Sequence, residues 1–146
     1  MRTKLLHRGR GTRTIAVAFE PGDDPVRGLQ DVAKNEGLSG AHFTAIGAFQ
    51  SVTLGFFDLE RRDYRRIALA EQCEVVSLAG NVALHDGAPK IHAHAVVARA
   101  DGSTLGGHLL EATVQPTLEV VITESPRHLR RKTDPRTGLA LLDLSR

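Results

Sequence analysis

Three histidines in the second half of the chain have a spacing that is typical of a metal site. His92 and His94 stand two residues apart in the β-forming run 91–99, so both side chains point to one face of a strand, about 7 Å apart. Asp101-Gly102 then supplies the signal of a tight turn. A chain that reverses there returns His108 to the side of the other two. The sequence therefore predicts three imidazoles around one point.

Three imidazoles form a ligand set that suits zinc. Zinc prefers four ligands, so three histidines leave one position for water or an anionic ligand, and such open positions are typical of catalytic zinc. Gly106 and Gly107 precede His108, and we expect them to adopt unusual backbone angles and leave room beside the metal. Because the ligands must be neutral, metal affinity should weaken below about pH 6. The alternative for each histidine is a solvent-facing or hydrogen-bonded strand residue.

Three glutamates in or beside apolar strand segments are candidates for proton transfer: Glu74, Glu111 and Glu119. If Glu74 and Glu119 are buried near the metal, burial raises their pKa values, as a general base requires. They would equally serve as hydrogen-bond partners that orient a ligating imidazole. A third interpretation, which we prefer, places them in ion pairs with arginines across a subunit interface. The sequence assigns no catalytic residue and leaves open whether the site is catalytic.

Apolar periodicity predicts one helix and many short strands. Asp24 is placed to cap a helix that begins with Pro25, and Gly37 is placed to end it. Strand-like runs lie at 14–19, 43–48, 52–57, 64–69, 73–84, 91–99, 108–114 and 118–123, with turns between them that include Gln50-Ser51 and Gln115-Pro116. A last apolar patch at 138–142 forms another strand or packs on a neighbour. Because these connections are too short for crossover helices, we expect an α+β fold: a mostly antiparallel sheet with one amphipathic helix packed on it.

The charge of the chain is uneven, although its net value is only +2. Residues 1–13 carry five basic and no acidic side chains, residues 127–146 carry six basic and two acidic ones, and the segment between them is acidic. We therefore divide the chain into a basic flexible arm, 1–13, and a domain, 14–146. Basic ends suggest a polyanion partner, and their pairing with the acidic body is the alternative. A single cysteine and the lack of an apolar run of about 20 residues favour a cytoplasmic protein without a membrane partner.

The motifs together resemble the plant and prokaryote conserved (PPC) domain. The resemblance rests on the run 73–81, on Ile91-His92-Ala93-His94, on Asp101-Gly102, on Gly106-Gly107-His108-Leu109 and on the segment 117–122. It extends from about Thr14 to the C-terminus. The resemblance implies a compact antiparallel sheet with one helix, assembled as a homotrimer. In prokaryotic members three histidines form a metal site, usually with zinc, and the matching residues here are His92, His94 and His108.

Plant proteins that resemble this chain carry the domain behind AT-hook segments that bind A·T-rich DNA in the minor groove, and their domain generally lacks the histidines. Here Arg8-Gly9-Arg10-Gly11 has glycine where the proline of a hook belongs. The leading hypothesis is a cytoplasmic, homotrimeric zinc-binding domain whose open three-histidine site binds, or also transforms, a small anionic or carbonyl ligand. The alternative is a regulatory protein that binds DNA through its basic termini, with an affinity that falls steeply as salt rises.

Overall fold

Long strands form most of the chain, and the computed structural model describes them over residues 1–145. The strands are β1 (Arg2–Gly9), β2 (Thr12–Phe19), β3 (Gly40–Asp58), β4 (Asp63–Leu69), β5 (Cys73–His85), β6 (Ala88–Ala98), β7 (Thr104–Glu124), β8 (Arg130–Thr133) and β9 (Ala140–Asp143). The helix α1 spans Pro25–Asn35. The predicted α+β class is confirmed. Within the described residues, the structure contains no helix with the length and apolar character of a membrane span.

The strands form one sheet in which β3 and β7 are the central pair. Its order is β1-β2-β7-β3-β5-β8-β9, while β4 pairs with β3 and β6 pairs with both β5 and β7. The neighbours β3, β5, β6 and β7 thereby close a ring of antiparallel pairings. Because β6 has a partner along both of its edges, the strand that carries two of the histidines is held firmly in place.

The helix forms where the sequence predicts it and covers one face of the sheet. The Asp24 carboxylate accepts hydrogen bonds from two backbone N–H groups of the first turn at 2.9 and 3.0 Å, which satisfies donors that a helix start leaves free. The Gln30 side chain donates to the Pro89 carbonyl at 2.6 Å and accepts from the Ile91 N–H at 3.3 Å. These bonds fix α1 against the start of β6. The buried face of the helix consists of Pro25, Leu29, Val32 and Ala33.

Two predicted turns are instead parts of continuous strands. Strand β3 runs through Gln50-Ser51, and β7 runs through Gln115-Pro116. The pairing of β3 with β7 shifts register between Phe49 and Ser51, so a β-bulge absorbs the polar residues that resemble a turn. Val114 and Leu118 are paired with β3, and Pro116 lies between them in a stretch of the described strand without pairs to β3. Because no β3 carbonyl there needs an N–H donor from Pro116, the proline is tolerated inside the strand. The prediction of separate strands on either side of these dipeptides is therefore wrong.

Both ends of the chain join the sheet. Residues 1–13, expected to form a flexible arm, contain β1, which pairs with β2 from Arg2 opposite Ala18 to Gly9 opposite Thr12. Every residue of β1 is exposed, so its sequence lacks the apolar alternation that indicates a strand. At the other end, β8 and β9 pair as a hairpin. Strand β9 corresponds to the apolar patch at 138–142, whereas no sequence pattern predicts β8. That a functional domain begins at Thr14 stays a prediction.

Candidate metal centre

The β6–β7 hairpin brings the three histidines together. Gly102 in its turn has a φ of +80°, a conformation that favours glycine. His94 lies directly opposite His108 in the pairing of the two strands, and His92 shares a face of β6 with His94. The three ring centroids are 5.0 to 5.3 Å apart. The expected return of His108 to the other two is confirmed, and we call His92, His94 and His108 the histidine cluster.

The nitrogen atoms of the histidine cluster are spaced for one metal ion. One ligand nitrogen of each ring lies within 4.8 Å of the others, and the Nε2 atoms of His92 and His94 are 3.2 Å apart. Tetrahedral ligands at about 2.1 Å from zinc lie roughly 3.4 Å from one another. His108 Nδ1 is buried and lacks a hydrogen-bond partner among residues 1–145, which is rare for a purely structural side chain. The donor set fits a divalent transition metal.

Burial keeps two of these rings in the neutral form that binds metals. Burial, with smaller contributions from His92, His94 and Lys90, lowers the pKa of His108 to about 4. The pKa of His92 is also lowered, first by burial and then by the positive charge of Arg131. Because a ligating imidazole must be unprotonated, His92 and His108 are ready to accept a metal at neutral pH.

Tyr64 on β4 stacks against His108. The two ring centroids are 4.8 Å apart at an interplanar angle of 22°. Gly55 makes room for this contact, because it lies opposite His108 and a Cβ there would be 2.7 Å from Tyr64 Cδ1. Burial raises the pKa of the Tyr64 hydroxyl, so the hydroxyl keeps its proton at neutral pH. The stacked ring helps to fix the orientation of His108, as the neighbours of metal ligands do.

The two glycines before His108 have a different role from the expected one. Neither has a positive φ in the described structure, so the prediction of unusual backbone angles is wrong. A Cβ on Gly107 would approach the carbonyl oxygen of Gly55 to 2.8 Å, whereas one on Gly106 would meet only ordinary contacts from 3.6 Å. The room that Gly107 provides is therefore room for β3, whose backbone approaches β7 closely at this point.

A pocket of about 180 Å³ opens beside the histidine cluster. His92 and His108 form one side of it, and Lys90 and Arg131 bring positive charge to its lining. The C-terminal hairpin closes another side, because Arg131 belongs to β8 and Leu141 to β9. We call this space the histidine pocket. It joins a candidate metal centre to two basic groups.

Three residues of the histidine pocket are not predicted from the sequence. Tyr64 and Arg131 are remote from the histidines in sequence, and Arg131 stands in the basic run Arg130-Arg131-Lys132, a pattern typical of a solvated tail. Strand pairing alone brings them to the site. Lys90 carries a signal that could have been used, since it precedes His92 by two residues and therefore shares its face of β6.

The three candidate glutamates lie outside the histidine cluster. Glu74, Glu111 and Glu119 are all exposed, because each alternates along its strand with buried core residues. Within the described structure none of them is hydrogen-bonded to His92, His94 or His108. Glu111 pairs with Arg66 of the same chain at 2.7 Å. The interpretation of Glu74 and Glu119 as buried general bases is wrong, and the role of all three glutamates at a subunit interface stays a prediction.

Comparison with known families supports the resemblance seen in the sequence. Residues 6–126 match the model of the Plants and Prokaryotes Conserved (PCC) domain, the family also abbreviated PPC. The chain therefore belongs to this family. A proposed DNA-binding protein from Bacteroides thetaiotaomicron has a similar structure, with a TM-score of 0.87 and 27% identity over 99% of both chains.

A metal-containing protein from Archaeoglobus fulgidus is also similar. Its structure gives a TM-score of 0.81 with 35% identity, covering 88% of this chain and 91% of that one. Among curated proteins, the bifunctional protein GlmU of a Synechococcus strain is 34% identical over 121 residues, which are 81% of this chain and 18% of that protein. The chain thus spans about a fifth of the length of the curated relatives it matches.

Proposed function

We propose that the chain is a metal-binding domain in which His92, His94 and His108 hold one divalent transition-metal ion. The convergence of three imidazole nitrogens within 4.8 Å of one another carries this proposal. The buried Nδ1 of His108, which lacks a partner among the described residues, adds to it. The similarity to the metal-containing protein from Archaeoglobus fulgidus, at 35% identity, supports the same conclusion.

Zinc is the metal that we propose for this site. Imidazole nitrogens suit zinc, and three of them leave its fourth tetrahedral position open. A zinc ion with an open position supplies Lewis acidity toward carbonyl and phosphoryl oxygens. The ligand of the domain is then a small anionic or carbonyl compound that enters the histidine pocket, where Lys90 and Arg131 supply positive charge.

Elemental analysis of protein purified without added metal tests the metal proposal. We expect about one zinc per chain in the wild-type protein, and loss of stoichiometric zinc in His92→Ala, His94→Ala and His108→Ala. The matched control is His42→Ala, since His42 is an exposed histidine on β3 outside the histidine cluster. Full metal retention in both His92→Ala and His94→Ala would contradict the proposal.

We also propose that the chain forms a homotrimer in the cytoplasm. Three large apolar side chains are unusually exposed on one face of the sheet: Ile46 by 62%, Val76 by 56% and Val121 by 45%. They lie around a shallow pocket that also includes Glu119. A contiguous apolar patch of this kind is typical of a protein contact, and the resemblance to the PPC domain implies three copies. The single cysteine, Cys73, is buried and unpaired, which suits a reducing compartment.

DNA binding through the basic termini is the second function that we propose for testing. It is supported by the similarity to the proposed DNA-binding protein from Bacteroides thetaiotaomicron. Arg13 is already held in ion pairs with Glu36 and Glu124 at 2.9 and 2.7 Å. Exposed basic side chains remain at Lys4, Arg8, Arg10, Arg127, Arg130 and Lys132.

A salt series with duplex DNA tests this second function. Binding should weaken steeply as salt rises. Neutralising Lys4, Arg8 and Arg10 together should reduce the dependence of log K on log salt by about 0.9 for each phosphate that the variant no longer neutralises. Arg65→Gln and Arg66→Gln on β4 serve as controls outside the termini. A protein that shows no affinity for duplex DNA even at low salt would contradict DNA binding.

A further inference from the structure

Arg131 is a buried cation with an unfilled hydrogen-bonding position. Its side chain is only 9% exposed. One terminal nitrogen donates to the Ala140 carbonyl at 2.8 Å, and the other donates to the Asn81 side-chain oxygen. Its Nε is buried and has no acceptor among residues 1–145. Both of its partners are neutral, so its hydrogen bonds leave the positive charge uncompensated.

No carboxylate among the described residues pairs with Arg131. Burial lowers the pKa of its guanidinium, and no neighbouring acid opposes that effect. An arginine remains protonated in proteins even so. Burying an unpaired charge is costly, and natural structures seldom keep one without a counter-ion. We therefore expect an anionic partner for Arg131 that the described residues do not supply.

The place for that anion is the histidine pocket. Arg131 lines it together with His92 and His108, and Lys90 adds a second positive charge. Ile91, Leu139 and Leu141 supply apolar surface to the same pocket. Its volume of about 180 Å³ lies below the ~300–1,000 Å³ of pockets that take drug-sized ligands. The occupant is thus a small molecule with a negative end and a short apolar body.

We propose that the histidine pocket binds a small carboxylic acid in its carboxylate form, with Arg131 holding the carboxylate. The planar guanidinium matches a carboxylate in geometry and charge. The apolar side chains favour an organic acid over inorganic phosphate, which has no apolar part to bury. This inference rests on the proposed metal site, since the metal provides the second anchor at the histidine end of the pocket.

Arg131 also lies outside residues 6–126, the segment matched by the family model. Under this proposal the selectivity for a carboxylate comes from the C-terminal hairpin β8–β9, which carries Arg131 beside the histidines. Removal of the Arg131 charge should change which ligand binds while leaving the three histidines and their metal in place. That separation allows a failure of the carboxylate inference to be distinguished from a failure of the metal site.

Calorimetric titration of the zinc-loaded protein tests the proposal with propionate and propionamide, which have the same size and differ in charge. We expect wild-type protein to bind propionate at least tenfold more tightly than propionamide, and inorganic phosphate to compete only weakly. Arg131→Gln should lose this preference, while Arg130→Gln, the exposed neighbour on β8, should keep it. Zinc content is measured in every sample.

The outcomes separate the two proposals. Equal binding of propionate and propionamide by zinc-loaded wild-type protein overturns the carboxylate inference while the metal site stands. Stronger binding of phosphate than of propionate overturns it as well. Wild-type protein that takes up no zinc overturns the proposed function, and this inference with it. If Arg131→Gln does not fold, Arg131→Lys takes its place: it keeps the positive charge but not the planar fork, and its preference for propionate should be weaker than that of the wild-type protein.

Discussion

His94 and His108 face each other across the β6–β7 hairpin as a directly opposed pair, with their ring centroids 5.3 Å apart. Because His92 belongs to the same hairpin, all three histidines of the cluster come from one stretch of one chain. The candidate metal site therefore does not need a residue from a second subunit. The metal site that we propose can therefore be tested separately from the proposed assembly.

Ile46→Asp should turn the proposed homotrimer into monomers without loss of metal. A charge placed in the exposed patch of Ile46, Val76 and Val121 opposes burial at a subunit contact, while the histidine cluster is unchanged. Sedimentation velocity measures the assembly and elemental analysis measures the zinc. Leu59→Asp is the matched control, since Leu59 is 71% exposed in the turn after β3. Wild-type protein that sediments as a monomer at micromolar concentration would contradict the trimer.

Tyrosine fluorescence should report metal binding directly. The chain has one tyrosine and no tryptophan, so the signal comes from Tyr64 alone, which stacks on His108. Addition of zinc to metal-free protein should change this emission with the same midpoint as metal uptake. In His108→Ala the response should be lost. A response of unchanged size in that variant would show that Tyr64 does not sense the cluster.

Gly55→Ala should weaken metal binding by displacing Tyr64. The added Cβ would lie 2.7 Å from Tyr64 Cδ1 and 3.1 Å from Leu110 Cδ1, so the stacked ring must move and His108 loses its support. We expect roughly a tenfold loss of zinc affinity, the lower range for groups that orient ligands. Gly106→Ala is the control, because its Cβ would meet only ordinary contacts. Equal zinc affinities of the two variants would exclude this role for Tyr64.

The positions of the histidines could be predicted from the sequence, because strand alternation and one turn signal are local. His92 and His94 share a face by their spacing alone, and Asp101-Gly102 reverses the chain. The surroundings of the site could not be predicted in this way. Tyr64 and Arg131 reach the histidines only through pairings between strands that are distant in sequence.

Irregular strands limit the prediction of the fold for a related reason. Gln50-Ser51 and Gln115-Pro116 resemble turns, yet β3 and β7 continue through them because a bulge or a change of pairing accommodates these residues. Strand β1 lacks apolar alternation because both of its faces are exposed. The bounds of the helix can be predicted from the sequence, because Asp24, Pro25 and Gly37 mark its ends by local chemistry.

Acid should destabilise the metal-free protein through His108. The pKa of His108 is about 4 in the folded state, against an ordinary value of 6.5. Between pH 6.5 and pH 4, His108 is therefore protonated in the unfolded chain but neutral in the folded one. The contribution of neutral His108 to stability is fully present above about pH 6.5 and is lost as the pH falls toward 4. Urea unfolding at pH 7.5 and pH 5, with a chelator present, measures the difference in the free energy of unfolding. His108→Gln should show a smaller difference between the two pH values than the wild-type protein.

Arg13→Met should lower the free energy of unfolding by about 2 kcal/mol, because charge-assisted hydrogen bonds of this kind contribute on that scale. Arg13 donates to Glu124 at 2.7 and 2.9 Å and to Glu36 at 2.9 Å. Arg2→Met removes the exposed pair with Glu20 and should cost less than about 1 kcal/mol. Chemical denaturation measures the free energy of unfolding of both variants. Equal decreases would contradict the larger contribution that we expect from the Arg13 ion pairs.

Anomalous diffraction from a crystal of zinc-loaded protein tests the central claim most directly. We expect one peak at the zinc edge in each chain, at about 2.1 Å from one nitrogen of His92, His94 and His108. A zinc-saturated crystal with no peak at the histidine cluster, or with a peak bound to other residues, would contradict it.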